Sequence, residues 1–74
     1  MMNVIITSHA KKRLTQPRQQ GIQLKEIFHV AEKIPGSIPI ATRFRGFIST
    51  NGKIYDIVAK DIPSGRLIIT VIGK

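Results

Sequence analysis

The segment TSHAKKRLTQ, residues 7 to 16, carries the side chains in this sequence best suited to chemistry at a phosphate. His9 and Arg13 stand four apart, with Gln16 a further step along, so on a helix they lie on one face. Close to a helix N-terminus, open N–H groups and the macrodipole favour anions and lower a histidine's affinity for its proton. Such a histidine, poised near neutrality beside an arginine, could transfer protons while the guanidinium holds a phosphoryl oxygen. The same spacing also describes a plain solvated basic face, and spacing alone leaves both readings open.

A second basic set comes from Arg43 and Arg45, which alternate with Phe44 and so share one face of a strand. They suit either phosphate contacts or the guarding of an edge strand against aggregation. Lys12, Tyr55, Lys60 and Arg66 would extend a nucleic-acid-binding patch, although Tyr55 equally suits a core position with its hydroxyl at the rim. Asp56 and Lys60 share a face of their strand, where pairing with neighbours would be structural. His29, with Lys25, Glu32 and Lys33, falls on the outer face of its helix and reads as solvated surface.

Other chemistries find no support. There is no cysteine, and neither a nucleophile motif nor a glycine-rich phosphate loop is present. His9 and His29 are too far apart in sequence for a zinc motif, and Glu26, Glu32, Asp56 and Asp61 form no carboxylate pair for metal-assisted cleavage. No metal and no cofactor are expected, so any nuclease chemistry would be metal-free.

With 12 Lys and Arg against 4 Asp and Glu in 74 residues, the net charge is +8. Residues 1 to 33 and 34 to 74 carry equal shares, so the folded surface rather than a detachable arm must hold the positive field. Nucleic acid is the expected partner, with an acidic protein as the alternative. The apolar run in MMNVIITSHAKKR is too short for a signal peptide or a membrane span, so a cytoplasmic chain without a membrane partner is expected.

One domain over residues 1 to 74 must position these groups, near the lower size limit for a self-sufficient core. The spacing predicts a short strand over 2–6, then a helix opened by Thr7 or Ser8 and stopped near Gln16 by Pro17. A second helix follows over about 23–34, with Leu24, Ile27, Phe28, Ala31 and Ile34 on its apolar face. IPGSIPI ends it. Three strands come next: ATRFRGFIS, KIYDIVAK and RLIITVI. Asn51-Gly52 suits a two-residue hairpin turn between the first two, and DIPSGR a longer one between the second and third. The last strand is apolar on both faces except for Thr70, as a central strand should be. The expected architecture is α+β, in the order β-α-α-β-β-β, with two N-terminal helices on a three- to four-stranded, mostly antiparallel sheet.

SHAKKRL at 8 to 14, GIQLKEI at 21 to 27 and the closing RLIITVIG resemble a family of short domains of unknown function that begin with His-Ala-x-x-Arg. That family is grouped with the metal-independent ribonuclease toxins of the RelE and barnase-like kind. The resemblance implies a RelE-like fold, RNA lying across the sheet and its helical margin, and a partner antitoxin. It places a possible catalytic role on His9 and Arg13. The chain departs from the family pattern at Gln20, where an arginine usually precedes the glycine, and RelE-like toxins tend to carry basic and tyrosine residues near the C-terminus, where this sequence has only Gly73-Lys74 after its last strand.

Overall fold

A computed structural model describes residues 3 to 73. Its elements, in chain order, are β1 (Val4–Ile6), α1 (Ser8–Leu14), a 3-10 turn (Pro17–Gln19), α2 (Leu24–Lys33), β2 (Thr42–Ile48), β3 (Ile54–Ile62) and β4 (Gly65–Gly73). The order matches the sequence expectation, although Met2, assigned to the first strand, lies outside the described residues. The sheet runs β1-β4-β3-β2, which makes β4 a central strand as its two apolar faces require.

The expectation of a mostly antiparallel sheet needs correction: the sheet is mixed. β2-β3 and β3-β4 are antiparallel hairpins, but β1 runs parallel to β4, pairing Val4 with Arg66 and Ile6 with Ile68. Both helices and two strands intervene between these partners, and such a long connection permits parallel return. The β2-β3 turn also differs. Gly52 alone takes a positive φ, 86°, while Gly52 N–H donates to the Ser49 carbonyl and Ser49 N–H to that of Lys53. Thr50, Asn51 and Gly52 thus form a three-residue loop rather than a two-residue turn, because Asn51 stays at negative φ.

Both helices lie on one face of the sheet. Val4, Ile6, Ile57, Ala59, Ile68 and Val71 meet Ala10, Ile27 and Ala31 there, with Phe44 and Phe47 at the margin. Leu24 and Phe28, expected in the core, remain more than a third exposed; the stripe of α2 is wider than the surface it covers, and Ile27 and Ala31 take its centre. Among the described residues no helix is long and apolar enough to cross a membrane.

Candidate nucleic-acid interface

β1 is only three residues long, so the second half of β4, paired with β3 on one side, has no strand on the other. Side chains fill that gap. Thr7 N–H donates to the Ile68 carbonyl, and its hydroxyl donates to that of Ile69 while accepting from Ala10 N–H as the N-cap of α1. One turn on, Arg13 Nε donates to the Val71 carbonyl at 3.3 Å. Gln19, fully buried, completes the edge: its amide oxygen accepts from Gly73 N–H and from Arg13 Nη2, and its nitrogen donates to the Arg13 carbonyl. This amide orientation makes three bonds of 3.0–3.2 Å where the reverse makes one, of 3.4 Å to Val71. Arg13 is thereby half-buried and anchored along the sheet edge, whereas His9 and Lys12 are exposed on α1.

Arg66 does not reach the surface. Its guanidinium is fully buried and makes five hydrogen bonds: two to Asp61, at 2.7 and 3.0 Å, and three to the carbonyls of Ala31, Ile34 and Gly36, at 2.8–2.9 Å. The residue four places after Ala31 is Pro35, which has no N–H to give, and Arg66 supplies the missing donor at the negative end of α2. Asp61 also accepts from Ile38 N–H. The hydrogen bonds from Arg66 first, and then that from Ile38, hold its carboxyl below the usual aspartate range. This pair clasps the α2-β2 crossover and offers a phosphate nothing. Tyr55 is interior too, stacked on Phe47 with ring centroids 5.7 Å apart. Its hydroxyl has no hydrogen-bond partner among the described residues, and burial, followed by the charge of Glu26, pushes its pKa up to about 12.

The opposite face of the sheet carries no helix. Arg43 pairs across with Val58, which alternates with the core-facing Ile57 and Ala59, so Arg43 points away from the helices. Beside it the ladder slips: between the pairs Phe44–Ile57 and Phe47–Tyr55, both Arg45 and Gly46 stand opposite the single Asp56. Gly46 has φ 81°, which allows this bulge. Asp56, fully buried, accepts from Gly46 N–H at 3.0 Å and from Arg43 Nε and Nη2 at 2.9 and 2.8 Å. Arg45 and Lys60 are exposed, and the Arg43 side chain retains 39% of its accessibility. At the hairpin end, cross-strand partners Ile48 and Ile54 are 68% and 48% exposed.

Two basic sets therefore exist, and the sheet separates them. His9, Lys12 and Arg13 belong to the helical side, with Arg43, Lys60 and the bulge residue Arg45 across the sheet. Among the described residues no single hollow joins the His9–Arg13 pair to the sheet arginines. The structural pairing expected of Asp56 is found, with Arg43 as its partner, whereas sequence reasoning missed the roles of Gln19 and Asp61; a lone glutamine or aspartate announces nothing until its partner, far away in sequence, is known. No group of three or more metal-binding side chains occurs among the described residues. Comparison of the chain with protein-family models, with curated proteins and with solved structures found no match.

Proposed function

We propose that this chain is a small RNA-binding domain that grips its ligand by phosphate contacts on the helix-free sheet face, within the RelE and barnase-like toxin grouping its sequence resembles. One observation carries the reading: the acidic groups are spent internally. Asp56 and Asp61 turn in against Arg43 and Arg66, and Glu26 accepts from Gln23 N–H at the start of α2. Of the 4 acidic residues only Glu32 is left wholly to the surface, against a chain bearing 12 Lys and Arg. Phe44, Phe47 and Tyr55 all serve the core side, so base stacking has no ring on the helix-free face, and Arg43, Arg45 and Lys60 are left to act on the backbone. Three such contacts imply that affinity for single-stranded RNA falls with salt at a log–log slope of about −2. Fluorescence anisotropy with labelled RNA across a salt series tests this. A salt-independent signal, or recovery of an acidic protein without nucleic acid in pull-downs, would replace the reading with one of protein recognition.

A second reading, metal-independent RNA cleavage, keeps one favourable observation. His9 is exposed one turn before an arginine that is itself anchored. His9 would take the proton of the 2′-hydroxyl as the 2′-O–P bond forms and return it to the departing 5′-oxygen as the P–O5′ bond breaks, while Lys12 and Arg13 would meet the negative charge developing on the non-bridging oxygens. Incubation with RNA in excess chelator should then give 2′,3′-cyclic phosphate ends that disappear in His9→Ala; intact RNA, or cleavage unchanged in the variant, rejects the mechanism.

A further inference from the structure

We infer that Asp56 is a positioning residue for a phosphodiester: its buried carboxylate fixes Arg43 and the Arg45–Gly46 bulge in the geometry that receives the phosphate. The inference rests on the RNA-binding reading and adds the part of the surface that selects ligand geometry. A buried carboxylate on the face of a sheet that carries no helix is costly to place, and a buried ion pair contributes little net stability compared with apolar residues of the same volume. What Asp56 does achieve is orientation. One of its oxygens takes Nε and Nη2 of Arg43, and the other takes the N–H of Gly46 at the bulge.

Three consequences follow from that geometry. Arg43, otherwise a flexible side chain, is held through Nε and Nη2 while its side chain keeps 39% of its accessibility, and no bond to Nη1 exists among the described residues. A preorganised guanidinium loses less freedom on binding and presents donors in a plane, which a lysine cannot imitate. The Gly46 bond, second, stabilises the slip that puts Arg45 and Gly46 opposite one residue, two positions along the strand from Arg43. Third, a carboxylate so close to a phosphate site should by charge alone repel the ligand, so positioning and electrostatics predict opposite signs for its removal.

The test is RNA affinity in Asp56→Asn, Arg43→Lys, Arg43→Ala and the Asp56→Asn/Arg43→Ala double variant, each checked for a native amide spectrum. Positioning predicts that Asp56→Asn weakens binding about fivefold although the net charge rises, and that this loss vanishes when Arg43 is already alanine. Unchanged or tighter binding by Asp56→Asn, or an equal loss in the Arg43→Ala background, overturns the inference while leaving RNA binding intact. Should Asp56→Asn fail to fold, Arg43→Lys decides: affinity as low as that of Arg43→Ala upholds the need for the oriented fork, and wild-type affinity overturns it. Wild-type protein that binds no RNA refutes the RNA-binding reading itself, and the inference with it.

Discussion

Replacing Arg66 by methionine keeps an unbranched apolar stem but removes all five hydrogen bonds of the guanidinium. The Ala31 carbonyl suffers most, because Ala31 is fully buried and Pro35 has no N–H to substitute. An unsatisfied buried carbonyl costs about 1–3 kcal/mol, and loss of the bond to each of the two more accessible carbonyls, of Ile34 and Gly36, about 0.5–1.5 kcal/mol. The sum, about 4 kcal/mol, matches the ~3–5 kcal/mol typical of breaking a buried charge pair from one side. A domain of 74 residues has only about 4–11 kcal/mol of total stability. Urea unfolding followed by far-ultraviolet circular dichroism should therefore show Arg66→Met with its midpoint lowered by roughly 3 M or more, at a slope of about 1 kcal/mol per M. A midpoint lowered by less than about 1 M would refute the view that Arg66 closes the end of α2, and would reopen it as a ligand contact.

Other expectations concern the core, the cap and pH. Tyr55→Phe removes a buried hydroxyl without a partner, so thermal unfolding should show no loss and up to about 1 kcal/mol of gain; a loss above 1 kcal/mol would mean the hydroxyl is bonded. Because the folded state raises the Tyr55 pKa, its neutral form stabilises below the ordinary tyrosine value and that contribution is lost as pH climbs from about 10 to about 12. Alkaline unfolding should accordingly move upward in Tyr55→Phe. Asp61 behaves oppositely: its depressed pKa contributes stability above the ordinary aspartate value, about 4, lost as pH falls below that. An acid titration should show a shallower decline in Asp61→Asn, and an identical decline would exclude Asp61 as a source. Thr7→Ala deletes both the N-cap of α1 and a bond to β4, at a cost of about 1–2 kcal/mol by urea titration.

Local patterns were legible in the sequence; partnerships were not. Alternation in KIYDIVAK sorted Tyr55, Ile57 and Ala59 from Asp56, Val58 and Lys60, and the apolar RLIITVI announced a central strand, because side-chain period follows directly from backbone geometry. The N-cap of α1 was readable as Thr7 or Ser8, and Thr7 holds it. The parallel pairing of β1 was not, since three residues carry no information on direction. Nor was the bulge at Arg45–Gly46, which depends on a carboxylate ten residues further along. Among the candidate site residues, type alone could not separate Arg43 and Arg45 from Arg66. All three are strand arginines, yet Arg66 faces a helix end with open carbonyls while the others face the helix-free side. His9 and Arg13 do lie one turn apart, but β4 runs out beyond β1, and its bare edge claims Arg13.

The most direct measurement is amide chemical-shift mapping of the nitrogen-15 labelled protein titrated with a short single-stranded RNA at low salt. Binding on the helix-free face predicts that Arg43, Phe44, Arg45, Gly46 and Lys60 move first and farthest, saturating together, with His9, Lys11 and Lys12 nearly still. Shifts confined to α1, or none up to millimolar RNA, would contradict it.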